Sequence, residues 1–164
     1  VSDSGNDTGK RVLGQFLFWL QESRSRVFLV ATANDISNLP YELFRKGRFS
    51  EIFFIDLPND RERADVLKHY AQRSLHIDLS DSRLEDLVRL TDGFSYSDIE
   101  SAVKDVAQLA LTDGQSAITH ELLLERFRKV LPISQSNPDQ IAKVRQWGSE
   151  RAVAASIRTG GNVQ

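Results

Sequence analysis

Two short apolar runs, separated by a proline and a basic cluster, most constrain what this chain can fold into. Residues 27–33 (VFLVATA) and 51–57 (EIFFIDL) both have the length of a strand, and the first is apolar at nearly every position. Such continuous apolarity is typical of a strand buried on both faces of a parallel sheet. A helical pattern over residues 10–22 precedes the first run. This order of elements predicts an α/β layer.

The sequence after Pro58 changes to helical periodicity with short connections. Helices are predicted over residues 60–74, 81–91, 95–112, 120–130 and 139–157. We therefore expect an α/β part over residues 1–57, a helical part over 58–131, a C-terminal helical segment over 132–158 and a disordered tail over 159–164.

Local signals refine this outline. Residues 1–9 are rich in turn formers and predict a mobile loop. Pro40 suits the first turn of a short helix that runs through Phe44. Ser95 and Asp98 have the spacing of a capping box at the start of a helix.

Composition excludes several classes of function. The net charge of -2 gives no global positive field, so neither nucleic acid nor an anionic membrane is favoured as a partner. The chain has no cysteine, and its three histidines lack zinc-like pairing, so no metal site is predicted. No apolar run approaches the roughly 20 residues that span a bilayer. We expect a protein of the cytoplasm or of a plastid stroma.

Asn34 follows the first apolar run, at the carboxyl end of the predicted strand. Ligands of α/β folds bind at this edge of the sheet, and an amide can hold a water molecule or a phosphate oxygen. The alternative is a turn residue, because Asn-Asp favours turns.

Arg45 and Arg48 flank Gly47 at the end of the predicted short helix. A guanidinium presents a fixed fork of donors that matches phosphate oxygens. The alternative is a solvated helix end, where cations interact favourably with the helix dipole.

Residues 10–150 resemble the C-terminal half of the ATPase module of the AAA family (AAA+ ATPases). Within that family, the sequence most resembles the AAA proteins of cyanobacteria and algal plastids. The matching residues fall into four groups: Ala31, Thr32 and Asn34 in the sensor-1 strand; Leu39, Leu43, Arg45, Gly47, Arg48 and Phe49 in the arginine-finger segment; Asp56, Leu57 and Pro58 at the exit to the lid; and Gly93, Phe94, Ser95 and Asp98 at a late lid helix. The resemblance implies the second half of a P-loop α/β domain, with an incomplete parallel sheet, followed by a helical lid.

The resemblance also implies a role for each candidate residue. Asn34 would orient the attacking water, and Arg45 and Arg48 would act as arginine fingers on a neighbouring subunit. Val66 and Tyr70 would contact adenine, although ordinary core packing of an amphipathic helix remains an alternative. Tyr96 and Ser97 replace the family's Gly-Ala and would lie at the nucleotide's edge. Lys46 and Ser50 also depart from the family pattern.

The sequence contains no P-loop and no strand that ends in Asp-Glu. Residues 4–11 (SGNDTGKR) are the nearest string, but Ser4 stands where the first glycine is needed and Arg11 where Ser or Thr is needed. With no methionine and Val1 at the start, we expect a missing N-terminal half that supplies these motifs. ATP or ADP with Mg²⁺ would then bind only the complete protein, and this chain alone would be inactive, with unpaired and aggregation-prone strands.

The resemblance implies part of an ATPase that couples ATP hydrolysis in a homo-oligomeric, hexameric ring to the remodelling of protein substrates. The final helix with Trp147 is expected to contribute to contacts within the ring. The alternative is a non-catalytic, truncated interaction module that binds or regulates such a ring. A nucleic-acid binder has little support, since basic residues and aromatics are not interleaved.

Overall fold

A computed structural model describes residues 4–22, 27–34, 40–45, 48–112 and 118–156. Its helices are α1 (Ser4–Glu22), a 3₁₀ helix (Tyr41–Phe44), α2 (Asp60–Tyr70) with a π-helical extension (Ala71–Leu75), α3 (Asp81–Leu90), α4 (Tyr96–Thr112), α5 (His120–Arg128), α6 (Ile133–Ser136) and α7 (Pro138–Arg151). Its strands are β1 (Phe53–Phe54) and β2 (Val153–Ala154), which pair in parallel.

Helices α2 to α5, here called the helical domain, enclose the main core. Their apolar faces converge on side chains that are almost fully buried, namely Leu67, Leu87, Ile99, Val103, Val106, Leu123 and Phe127. Each such side chain contributes roughly 1.5–3 kcal/mol through removal from water. The helices predicted after Pro58 from periodicity agree with α2 to α5 because this apolar spacing is a local property of the sequence.

The start of α2 is fixed by polar groups as well as by the core. Asn59 and Glu62 form a capping box, in which each side chain accepts a hydrogen bond from the other residue's backbone amide, at 3.0 and 2.9 Å. The buried Arg63 donates to the carbonyl oxygens of Pro58, at 2.9 Å, and of Val88, at 3.3 Å. The chain leaving β1 is thereby joined to both α2 and α3.

The prediction of a buried strand over residues 27–33 is wrong for this chain. Residues 27–34 form neither helix nor strand, and every one of them is exposed. A strand in a parallel sheet takes its hydrogen bonds from neighbouring strands, and the described residues supply none at this position. The second predicted strand, over residues 51–57, is reduced to the two residues of β1.

Both ends of the described chain also differ from prediction. The loop predicted over residues 1–9 is wrong from Ser4 onward, where α1 begins; Ser and Asp are common in the first turn of helices as well as in loops. The helix predicted over residues 139–157 ends at Arg151, because the chain beyond it pairs with β1. The start of the C-terminal segment predicted over residues 132–158 contains α6. The predicted disordered tail lies outside the described residues.

Helix α7 docks against the segment that surrounds β1. The ring of Trp147 packs on Phe44, with centroids 5.4 Å apart and planes tilted by 59°. Arg145 donates from Nε to Asp56 Oδ1 at 2.8 Å. Beyond α7, the amide of Val153 donates to the carbonyl of Ile52 at 2.9 Å, which begins the β1–β2 pairing. Trp147, expected at a contact between subunits, thus contacts the same chain.

No helix in the described ranges combines the length and the apolarity needed to cross a membrane.

Candidate functional site

Asn34 ends the exposed stretch at residues 27–34 and is itself exposed, in a bend of the chain. Within the described part of the chain, no hydrogen bond occupies its side chain. An amide in this state can donate to and accept from a water molecule or a ligand oxygen.

Arg45 and Arg48 leave the 3₁₀ helix around a common acceptor, the carbonyl oxygen of Glu42. The backbone amide of Arg45 donates to it at 3.4 Å, and the guanidinium of Arg48 donates to it from Nη1 at 2.6 Å. The amide of Arg48 in turn donates to the carbonyl of Arg45 at 3.3 Å. The two arginines are therefore held in one turn. Gly47, which sequence reasoning placed between them, lies outside the described residues, as does Leu39.

The arginines remain accessible from outside. Arg45 is exposed and Arg48 is half-buried. Neither forms an ion pair with any carboxylate that the structure describes. A guanidinium has five N–H donors, so the bond from Arg48 to Glu42 leaves donors for a second acceptor. The guanidinium groups of both arginines can therefore bind an anion from solution.

Apolar contacts hold this turn from beneath. Leu43 is only 5% exposed, and Phe44 packs on Trp147 of α7. Tyr41, Phe44, Ile52, Trp147 and Arg151 line a shallow cavity of about 390 Å³ beside the turn. The arginines thus project from an aromatic base that belongs to two distant parts of the chain.

Val66 and Tyr70 lie on the helical domain, away from this turn. Both are half-buried and pack against its core, as the alternative of ordinary packing requires. Tyr70 also meets the ring of His69 edge-on at 5.3 Å. The pKa of Glu100 on α4 lies below its usual value, chiefly through a hydrogen bond from Lys104 and, to a smaller extent, through one from Tyr70.

Tyr96 and Ser97 occupy the first turn of α4, and both are exposed. Partial burial raises the pKa of the Tyr96 phenol, and the negative charge of Glu62 raises it further. Tyr96 therefore lies within electrostatic reach of the start of α2. No hydrogen bond or ion pair of the described residues joins this group of candidates to Asn34, Arg45 or Arg48.

The capping box predicted at the start of α4 is confirmed. Asp98 accepts from the amide of Ser95 at 2.8 Å, and Ser95 Oγ accepts from the amide of Asp98 at 3.1 Å. The same Oδ2 of Asp98 accepts from the amide of Ile133 at 3.2 Å. This third bond ties α4 to the approach of α7.

Sequence reasoning missed Arg63 and the docking contacts of α7. Arg63 shares the buried face of α2 with Leu67 and Ala71, at intervals of one turn, so its position in the apolar stripe was a usable signal. The ion pair of Arg145 with Asp56 had no such signal. The sequence does not distinguish two opposite charges that pair over this separation from two charges that are each exposed to solvent. Among the described residues, no group of three or more potential ligands could hold a metal ion.

Comparisons with known proteins match both parts of the chain. The family model for the ATPase family associated with various cellular activities (AAA) matches residues 1–57, and that for the AAA+ lid domain matches residues 81–125. Together, the two models account for the α/β part and most of the helical domain.

Individual relatives give the same result. The chain is 36% identical over 90% of its length to the uncharacterized AAA domain-containing protein ycf46 of Guillardia theta, and 35% identical over 94% to that of Pyropia yezoensis. It is 31% identical over 79% of its length to a proteasome-activating nucleotidase of Saccharolobus solfataricus. The chain spans 29, 31 and 33% of the length of these three relatives.

These matches confirm the resemblance predicted from the sequence, including the likeness to algal proteins, and they confirm the fold class of a C-terminal AAA half followed by a lid. The chain belongs to the AAA family of ATPases.

Proposed function

We propose that this chain supplies sensor 1, the arginine fingers and the lid of an AAA+ ATPase, in which ATP hydrolysis in a homo-oligomeric ring drives the remodelling of protein substrates. The observation that carries the proposal is the turn of Arg45 and Arg48. The guanidinium of Arg48 and the backbone amide of Arg45 share one acceptor, the carbonyl oxygen of Glu42, beside the aromatic contact between Phe44 and Trp147. Neither guanidinium has a carboxylate partner among the described residues. A surface turn built only for solubility does not need such support.

The residues of the turn fit a phosphate group. Guanidinium donors match phosphate oxygens in geometry and charge, and an arginine provided by a neighbouring subunit can stabilise charge that develops during phosphoryl transfer. Bound ATP with Mg²⁺ would supply the phosphoryl group that is transferred. The sequence has no P-loop of its own, so in this proposal Arg45 and Arg48 serve a site whose phosphate-binding loop belongs to another polypeptide segment.

Exposed apolar surface supports the proposal that such a segment covers this chain. Phe28 is 92% exposed and Val30 is 71% exposed, in a run with the composition of a buried strand. Val12, Phe18 and Trp19 of α1 are exposed as well. The four consecutive exposed apolar residues 27–30 form a patch of the kind that commonly marks a site of contact with another protein element.

The remaining candidates receive finer roles in the same proposal. Asn34 orients the attacking water, Val66 and Tyr70 contact adenine, and Tyr96 and Ser97 line the nucleotide's edge. A hexamer and a location in the plastid stroma or cytoplasm are the expected context, with the algal relatives favouring the plastid.

The effect of replacing Arg48 distinguishes the proposed function from the alternative of a non-catalytic interaction module. If Arg48 is an arginine finger, Arg48→Ala in the complete protein should lower the turnover number for ATP by about 10³-fold, because such a finger contributes that much or more. Nucleotide affinity should stay nearly unchanged, since the finger acts mainly in the transition state. Steady-state hydrolysis and nucleotide titration measure the two quantities.

A matched control is Arg128→Ala, which removes an exposed arginine from α5. It should leave turnover unchanged. Equal turnover in Arg48→Ala and Arg128→Ala would exclude the finger role of Arg48 and favour the interaction module.

A further inference from the structure

The turn that holds Arg45 and Arg48, here called the arginine turn, is flanked in sequence by two contacts with the same distant part of the chain. On its N-terminal side, Phe44 packs on Trp147. On its C-terminal side, the carbonyls of Ile52 and Phe54 accept from the amides of Val153 and Ala155, both at 2.9 Å. The chain entering the turn and the chain leaving it are thus fixed by α7 and its extension.

The docking of α7 is close and directional. Gly148 is buried, and a Cβ built on it would lie 2.5 Å from Cγ of Phe54. The ion pair between Arg145 and Asp56, at 2.8 Å, joins the helix to the chain that follows β1. A contact this close leaves little freedom for the neighbouring Trp147 to move relative to β1.

We propose that Trp147 is a positioning residue for the arginine fingers. Its indole supports Phe44, the residue directly before Arg45, and so sets the direction in which both guanidinium groups project toward the neighbouring subunit. This inference rests on the proposed function, because it requires that Arg45 and Arg48 act on the neighbour's nucleotide. Trp147 itself contacts no substrate.

The proposed effect is on rate and not on binding. A displacement of about 1 Å in a catalytic group can cost about 10²-fold in rate, even when the substituted residue is remote from the chemistry. Removing the indole leaves Phe44 without its aromatic neighbour. We expect Trp147→Ala in the complete protein to lower the turnover number by about tenfold or more, with KM nearly unchanged. Trp147→Phe keeps a ring against Phe44 and should retain most of the turnover.

Mixed rings separate positioning from general support of the subunit. Each site combines its own Asn34 with arginines from the neighbour. A subunit carrying Trp147→Ala therefore has an intact Asn34 but misdirected arginines, whereas a subunit carrying Asn34→Ala has a defective site but correctly directed arginines. A site is complete where the Trp147→Ala subunit provides Asn34 and its neighbour, an Asn34→Ala subunit, provides the arginines. In rings with heterologous interfaces mixed at random in equal amounts, about one quarter of the sites are complete.

The experiment measures ATP turnover of each variant alone and of the mixture. We expect the mixture of Trp147→Ala with Asn34→Ala to exceed the mean of its two components several-fold. Lys143→Ala, which removes an exposed side chain from the same helix, should behave as the unsubstituted protein. The mixture of Arg48→Ala with Asn34→Ala is the reference for fingers that act between subunits.

The outcomes distinguish the two levels of inference. If the mixture of Arg48→Ala with Asn34→Ala has no more ATP turnover than the mean of its two components, the proposed function of the arginines fails. If that mixture gains turnover and the mixture of Trp147→Ala with Asn34→Ala does not, the positioning role of Trp147 is overturned. A Trp147→Ala subunit that no longer enters rings, or a Trp147→Phe subunit as slow as Trp147→Ala, would also overturn it.

Discussion

Gly148 of α7 faces the ring of Phe54 in β1 at a distance that has no room for a side chain. A Cβ on the glycine would meet three atoms of the ring, at 2.5, 2.7 and 2.9 Å. The backbone of Phe54 is paired with Ala154 in the sheet, so relief of this contact requires the ring to rotate or α7 to shift. The glycine is therefore required by close approach between helix and strand.

Gly148→Ala should loosen the docking of α7. Overpacking of a close contact typically costs about 1–3 kcal/mol. The variant should unfold at a lower urea concentration, and α7 should become more sensitive to limited proteolysis. Gly14→Ala is the matched control: a Cβ at Gly14 in α1 meets nothing within 4 Å, and the change to alanine favours the helix. Equal stability of the two variants would show that Phe54 yields freely.

Asp98→Ala should destabilise the start of α4 and its link to α6. The carboxylate accepts from the amides of Ser95 and Ile133, so both donors lose their partner. Loss of a helix cap costs about 0.5–2 kcal/mol of the free energy of unfolding. Asp105→Ala, on the same helix, removes an exposed carboxylate 3.9 Å from Arg126 and should cost little. Urea titration of both variants provides the comparison.

Arg63→Leu should destabilise the protein although it places an apolar side chain at a buried position. The substitution leaves the carbonyl of Pro58 without its donor, and an unsatisfied buried group costs about 1–3 kcal/mol. The carbonyl of Val88 loses one donor but keeps the hydrogen bond from Thr91 Oγ1 at 3.3 Å. The ion pair with Asp60 contributes less, since the aspartate is 85% exposed. Asp60→Ala should therefore be mild. If Asp60→Ala and Arg63→Leu cost the same, charge and not carbonyl bonding would explain the role of Arg63.

Tyr96 should titrate above its ordinary pKa of 10.0, because burial and Glu62 both oppose the phenolate. The folded state then holds this proton more firmly than the unfolded state does. The resulting stability is complete below the unfolded pKa and is lost as pH rises through the folded pKa. With 37% of the residue exposed, we expect a small effect.

Absorbance of tyrosinate, compared between the unsubstituted protein and Tyr96→Phe, isolates this titration. The component that Tyr96→Phe removes should lie on the alkaline side of pH 10.0. A Glu62→Gln variant should move it toward lower pH. A Tyr96 component below its ordinary pKa would contradict the assigned environment.

The helical domain could be predicted from the sequence because its determinants are local. Apolar side chains one turn apart, as Leu67 and Ala71 are, fall on one face of a helix wherever the helix packs. The capping residues Ser95 and Asp98 act within four positions of each other. Such patterns specify helices before any tertiary contact is known.

The sheet could not be predicted in the same way. Residues 27–33 have the composition of a buried strand, but a strand also needs partners, and composition does not say whether partners are available. The β1–β2 pair had no signal of its own, since Val153 lies one hundred positions after Phe53. The partial burial of Val66 and Tyr70 is equally expected for adenine contact and for packing.

The arginines of the site were recognisable by their order around a glycine, whereas their support was not. Sequence reasoning identified Arg45 and Arg48 but assigned Trp147 to contacts between subunits. The acceptor shared by Arg45 and Arg48 is the backbone carbonyl of Glu42, and every residue type has such a carbonyl. The sequence therefore could not indicate it.

The separation between β1 and β2 has a consequence for the order of folding. The helical domain forms from neighbouring segments, which meet early because only short loops must close. The pairing of Phe53 with Val153 closes a far longer loop and becomes available only once nearly the whole described chain has been synthesised. We expect a nascent chain to hold a folded helical domain while the turn of Arg45 and Arg48 still lacks its support from Trp147, so that the proposed contact of this turn with a neighbouring subunit becomes possible only afterwards.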